Sequence, residues 1–296
     1  MTYSIVARCP TTGAMGVAVQ THWFNVGATV PMIEPGVGAV ATQSVTSRDT
    51  GRAVLSGVRG GANVADALAN ASKVDDQWDM RQVGVVDWAG NSATHTGSRC
   101  VPHAGGVTAN GVACQANFME REGVPDAMLN AWADNSSLDM ADRLLAALLG
   151  AETKGGDIRG RQSAAILVFD TDASLVDPLF DLRVDDHPDP LVELARLVRL
   201  AHAYRRANKG DAYVAAGDNA AATDEYKAAM TLAPGSDELA FWHGLVLAES
   251  GDVGEAQRLV AKAYDSRPQM RQLVSRLRDA GWVDLDGETL EILTQA

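Results

Sequence analysis

Threonine stands second in the chain, at the head of the apolar run Thr2-Tyr-Ser-Ile-Val-Ala-Arg8. Methionine before so small a residue is a good substrate for removal, and loss of Met1 would leave Thr2 with a free α-amine. A terminal threonine is a self-contained catalytic unit, its hydroxyl the nucleophile and its own amine the general base. An α-amine has a reference pKa of about 7.7 to 8.0, so a useful fraction is unprotonated at neutral pH. The bland alternative is that Thr2 is simply the second residue of an ordinary protein.

Three further groups of residues could serve such a nucleophile. Gln115 and Asn117 are spaced to point from one face of a strand, where they could form an oxyanion site or satisfy backbone groups at a strand end. Arg161, Gln162 and Ser163 close the segment Asp157-Ile-Arg-Gly-Arg-Gln-Ser163. Its arginines could hold a substrate carboxylate and its amide or hydroxyl could orient a carbonyl. They could equally form a network with Asp157 that fixes a loop. The run Arg183-Val-Asp-Asp-His-Pro-Asp189 has the residue types of a metal or acid/base cluster. No second histidine falls at a ligand spacing, so a capping or domain-linking role is the better reading. His22 lies close enough to the first hairpin to test, and Asp79 with Arg81 reads as an ion pair at a loop-to-strand junction. Cys9, Cys100 and Cys114 are odd in number and widely spaced, which fits reduced, buried thiols better than a disulfide framework or a zinc site.

Positioning these residues requires strands before residue 190 and helices after it. Residues 3–8 and 15–21 read as a hairpin, 38–43 as a strand, and 82–87 with 92–96 as a second hairpin turning through Gly90-Asn91. Residues 107–115 and 163–169 read as further strands. Residues 49–71 have helical spacing, broken near Gly60 and Gly61 and capped by Asp49. Residues 125–149 read as one long helix. Strands and helices in this order describe an α+β layered domain over residues 1–190. Beyond it, Gly210, Gly217, Asp218, Ala222, Ala229 and Pro234 recur as Gly244, Gly251, Asp252, Ala256, Ala263 and Pro268, an offset of 34 residues. That is the tetratricopeptide period, and residues 191–296 are read as a small all-α repeat domain with flanking helices at 191–205 and 270–277.

The whole chain has 296 residues, 46% hydrophobic and 21% charged, as expected of globular domains. A formal charge of −13 disfavours a nucleic-acid binder, although arginine clusters could still form a local anion site. No apolar run reaches the length of a membrane span, and the start lacks the pattern of a signal peptide, which makes the cytoplasm the expected location.

Thr2-Tyr-Ser-Ile-Val-Ala-Arg8, Gly16-Val-Ala-Val19, Pro35-Gly-Val-Gly-Ala-Val-Ala-Thr-Gln43, Asp79-Met-Arg-Gln-Val-Gly-Val-Val-Asp87, Thr96-Gly97, Gly156-Asp-Ile-Arg-Gly-Arg-Gln-Ser163 and Arg183-Val-Asp-Asp-His-Pro188 occur in that order. Together they resemble the bacterial domain-of-unknown-function 1028 family over about residues 2 to 190. That family is similar to the N-terminal-nucleophile hydrolases, so the resemblance implies a four-layer αββα sandwich and cleavage of an amide bond from Thr2. It implies a small amide or peptide substrate, with no cofactor and no metal. Proteasome-like members of that superfamily use a lysine beside the nucleophile, whereas here the first lysine is Lys73. That electrostatic role would fall to Arg8, an amide or a hydroxyl. A homodimer is expected, as is a partner protein for the helical repeats. The rival reading is a non-catalytic binding or scaffold protein that uses those repeats.

Overall fold

The N-terminal apolar run forms β1 (Thr2–Arg8), which turns through Gly13, at φ 76°, into β2 (Met15–Thr21). A computed structural model describes residues 2–172 and 177–296, which divide into two compact units, Met1–Val198 and Arg199–Ala296.

In the first unit, β3 (Pro31–Glu34), β4 (Gly38–Ser44), β5 (Arg81–Asp87) and β6 (Ser92–Thr96) form an antiparallel four-stranded sheet in that order. The strands β7 (Gly105–Ala109), β8 (Val112–Asn117), β9 (Ser163–Phe169) and β10 (Phe180–Val184) join β1 and β2 in a second antiparallel sheet, ordered β10-β9-β2-β1-β8-β7. Val6, Val17 and Val19 meet Ala39, Ala41 and Val86 in the layer between the sheets. On the outer side of the four-stranded sheet, α1 (Arg48–Arg59) and α2 (Val64–Ala71) bury Val54, Leu55, Val64 and Leu68 against Val40, Val83 and Val85. On the outer side of the other sheet, α3 (Val124–Asp134) packs on β8 and α4 (Met140–Glu152) on β1 and β2. Helices therefore cover both outer faces. The central strands must be apolar on both sides, which is why they read as apolar runs more than as strict alternation.

Local chemistry corrects several expectations. The helix expected over 125–149 is two helices, because Asn135 ends α3 and Asp139 begins α4 while the apolar spacing continues across the break. The strand expected over 107–115 is the hairpin β7–β8, turned at Asn110-Gly111 with Gly111 at φ 73°. Ser47, not Asp49, caps α1, accepting from the Thr50 amide at 3.1 Å. Arg81 pairs with Asp75 at 2.9 Å rather than with Asp79, which instead meets Arg99 at 3.4 Å. The short strands β3 and β10 lie outside the expected set.

The helical unit comprises most of α5 (Pro190–Ala215), then α6 (Asn219–Leu232), α7 (Asp237–Glu249), α8 (Val253–Ser266), α9 (Met270–Asp279) and α10 (Gly287–Gln295). No break separates 191–205 from the helix that follows, so the expected flanking helix is the start of one continuous α5. The sequence repeat is also a structural one. Asp218 and Asp252 cap α6 and α8 by accepting from the amides of Ala221 and Glu255. Gly217 and Gly251 supply the left-handed turns before those caps, at φ 78° and 86°. Ala222, Ala229, Ala256 and Ala263 are fully buried at the helix contacts. Among the described residues no helix is long and apolar enough to cross a membrane.

Candidate functional site

Antiparallel register draws distant residues into one row. Thr2 lies opposite Thr21 on one side and Asn117 on the other, and Thr21 lies opposite Ser163. Ser163, Thr21, Thr2 and Asn117 thus cross four adjacent strands, β9-β2-β1-β8, on the face turned toward the other sheet. One step deeper stand Ser4 and Gln115, also register partners. From the facing sheet come Gln43, Gln82 and Thr96, which form the matching row on β4, β5 and β6. The inter-sheet layer is accordingly apolar at one end and polar at the other.

These side chains form a continuous buried network. The Thr2 hydroxyl donates to Thr21 Oγ1 at 3.1 Å, and the Thr2 carbonyl accepts from Gln43 Nε2 at 3.1 Å and Asn117 Nδ2 at 3.4 Å. Gln82 Oε1 accepts from both Gln43 Nε2 and Asn117 Nδ2 at 2.7 Å. Gln82 Nε2 in turn donates to Thr96 Oγ1 and to the carbonyls of Gly105 and Ala116. Ser4 donates to Gln43 Oε1 and accepts from Gln115 Nε2, both at 2.6 Å. Every side chain in it is neutral. Two acceptors, Asn117 Oδ1 and Gln115 Oε1, are buried without a hydrogen-bond partner among the described residues. Gly84 makes room for this packing, since a Cβ there would lie 2.1 Å from Gln115 Oε1.

Backbone strain gathers at the same end. Among the described residues the non-glycine residues with positive φ are Asn25, Ser44 and Phe118, at 54°, 70° and 61°. They close or follow β2, β4 and β8, the strands whose last polar residues build the network. Such conformations cost roughly 1–3 kcal/mol each and concentrate at functional sites.

The sequence candidates divide. Thr2, Gln115, Asn117 and Ser163 share the inward face, with Ser163 also holding the following loop: its hydroxyl donates to the Trp23 carbonyl at 2.5 Å and accepts from the Val26 amide at 3.2 Å. Arg161 and Gln162 lie outside the network. Arg161 pairs with Glu152 at 2.6 Å and Asp189 at 3.1 Å, and Gln162 donates to Asp186 at 3.1 Å. The Asp157 carboxylate is held by Arg159 and by the amide of His22, whose ring meets the Arg161 carbonyl. Arg8 ends β1 at the opposite extreme from Thr2, about 20 Å away by strand rise. The groups beside Thr2 are therefore hydroxyls and amides. Thr21, Ser4, Gln43, Gln82 and Thr96 were not singled out by sequence reasoning. Their available signal was polar residues at inward positions near the ends of otherwise apolar strands. Met1 lies outside the described residues, and Thr2 itself is 5% exposed. A cavity of about 530 Å³ touches the network at Thr96 and Gly105 and is also lined by Cys100, His103 and Arg121.

The family model described as "Family of unknown function (DUF1028)" matches residues 2–194. The crystal structure of protein SPO2555 from Silicibacter pomeroyi, assigned to the same family model, is similar with a TM-score of 0.62 and 35% identity. The match covers 68% of this chain and 88% of that one. No curated protein matches the sequence. With two thirds of its length matched by the family model and by a solved member, the chain belongs to the DUF1028 family.

Proposed function

We propose that the first unit is an N-terminal-nucleophile amide hydrolase that acts from Thr2 after Met1 is removed. The observation that carries this reading is the row Ser163, Thr21, Thr2 and Asn117 at the polar end of two facing sheets with helices outside them. Such layering is that of the N-terminal-nucleophile hydrolases. The chemistry is consistent with it. Among the described side chains hydrogen-bonded to Thr2 none is charged, so the only base at hand is the amine that processing would release. Burial disfavours the protonated form of that amine, which holds it ready to take the hydroxyl proton near neutral pH. Asn117, the register partner of Thr2 on β8, carries a buried Oδ1, unpartnered among the described residues, that would be an acceptor for the amine's N–H groups after processing. An amide donor on Asn117 or Gln115 would meet the developing oxyanion once substrate displaces its present contact.

Intact mass and N-terminal sequencing of protein from the native host test the first requirement. Threonine at the terminus is expected. A screen over small amide and peptide substrates should then show turnover that Thr2→Ala abolishes and Thr2→Ser retains in part. A retained methionine in active protein overturns the mechanism.

A second reading, partner binding through tetratricopeptide-like repeats, draws on a cavity of about 590 Å³ within the helical unit. Tyr204, Trp242 and Trp282 line it together with Asp211, Glu238 and Glu249, and Trp282 is 73% exposed. A peptide combining lysine or arginine with apolar residues should quench tryptophan fluorescence saturably in the native chain and lose affinity in Trp282→Ala. An unchanged signal removes this reading.

A further inference from the structure

The first unit holds a basic groove that neither the amide network nor the proposed hydrolysis uses. A cavity of about 540 Å³ is lined by Arg48, Arg52, Arg59 and Arg183. Three of these arginines come from α1, where Arg48, Arg52, Leu55 and Arg59 follow helical spacing along one face. Arg183 reaches it from β10. No residue of the amide network is among the described lining residues.

Within α1 this arrangement is electrostatically unfavourable. Arg48 occupies the first position of α1, where the helix dipole opposes positive charge. Arg52 lies one turn later, a like-charge spacing that destabilises a helix. Arg52, Arg59 and Arg183 each have a carboxylate: Asp49 at 2.7 Å, Glu34 at 2.6 Å and Asp181 at 2.7 Å. Arg48 has none among the described residues. Its Nη1 donates to the backbone carbonyls of Ala28 at 3.0 Å and Pro31 at 3.5 Å. It is half-buried, and burial followed by the charges of Arg52 and Arg183 lowers its pKa. An oxyanion placed among these guanidinium groups would relieve the dipole conflict, the like-charge repulsion and the missing counter-charge together. Glu34 and Asp181, the partners of Arg59 and Arg183, also line the groove, and the remaining wall is largely apolar, with Met32, Leu55, Leu167 and Phe169 on it.

We propose that this groove binds a small amphipathic oxyanion, a carboxylate or phosphate on a short apolar body. The head group pairs with Arg48 between Arg52 and Arg183, and the body lies on Met32, Leu55 and Phe169. The site is independent of Thr2, so its test does not depend on hydrolysis.

Calorimetric titration of the full chain at low salt with octanoate, hexyl phosphate and inorganic phosphate tests the proposal. Saturable binding of octanoate or hexyl phosphate, about tenfold or more tighter than inorganic phosphate, is expected from burial of the apolar body. The tighter of the two amphiphiles identifies the head group. Arg52→Glu changes an exposed side chain at the groove and should weaken binding about tenfold, with the melting temperature preserved. Arg48→Ala should weaken it further, and a thermal melt of that variant establishes that it is folded. Absence of saturable binding by either amphiphile overturns the proposal. So does binding that Arg52→Glu leaves unchanged, or inorganic phosphate that binds as tightly as hexyl phosphate.

Discussion

The Asp75–Arg81 pair fixes the loop that leads into β5. Arg81 reaches Asp75 through Nε at 2.9 Å and Nη2 at 3.2 Å, its Nη1 donates to the Val45 carbonyl, and Thr50 donates its hydroxyl to the same carboxylate. Burial pushes the Asp75 carboxyl up, but the Arg81 and Thr50 contacts outweigh it and leave the pKa at about 2, below the usual 3.8. Because the folded pKa is depressed, the stabilisation is complete above pH 4 and is lost as pH falls toward 2. It amounts to about 2 kcal/mol. Asp75→Asn, which strands Arg81 in a half-polar site, should cost about 3 kcal/mol at pH 7 in a urea melt and should remove that acid limb. Equal stability of variant and native chain would remove the pair as a determinant. Cys9 presents a related case. Burial raises its thiol pKa, yet contacts from Thr11 and Thr12 prevail and bring it down to about 7, whereas burial pushes the Cys114 thiol up. Iodoacetamide labelling should therefore rise with a midpoint near pH 7 at Cys9 and leave Cys114 unmodified at pH 8. A Cys9 midpoint above 8 would contradict this assignment.

At the scale of elements, the approach of β5 to β8 decides whether the polar layer can exist. Gly84 faces the Gln115 side chain, and a methyl group there would collide with the amide at 2.1 Å. Gly84→Ala should force Gln115 from Ser4 and destabilise the fold by about 1–3 kcal/mol, read as a lower urea midpoint. An unaltered midpoint would mean that the sheets separate freely at this point. The same contact shows what could be read from sequence alone. The hairpin through Gly90-Asn91 was legible because the turn chemistry is local, and so were the 34-residue repeat and the break between α1 and α2. Two breaks had local signals that apolar spacing on either side outweighed: Asn135-Ser-Ser-Leu-Asp139 carries turn and capping residues between α3 and α4, and Asn110-Gly111 is a hairpin turn pair. Thr2 could be singled out by its chemistry. Asn117 and Ser163 could be named by residue type and spacing, but their adjacency to Thr2 could not, since Asn117 lies 115 residues away and is brought beside it only through strand order. Inward-facing glutamines acquire meaning only once two sheets are known to face each other.

Across the whole molecule, the two units carry different titrating groups, and their pH windows separate. In the helical unit His243 is 3% exposed, stacks on Tyr226 and meets Met230 Sδ at 3.3 Å. Burial, followed by the charge of Lys227, brings its pKa down from 6.5 to about 4. The fold holds the neutral ring while the unfolded chain takes up a proton near pH 6.5. The contribution of His243 is therefore full above 6.5 and is lost as pH falls toward 4, a change of up to about 3 kcal/mol. Asp75 in the first unit begins to lose its contribution only below that range. Between pH 7 and 5, then, the helical unit should weaken while the sheets hold. Hydrogen exchange should report this as earlier loss of protection in α6, α7 and α8 than in β1 and β2. His243→Gln keeps a neutral polar group at the position and should flatten the difference between pH 7 and 5. If the native chain loses protection equally in both units, or if His243→Gln keeps the full pH dependence, the titrating group lies elsewhere.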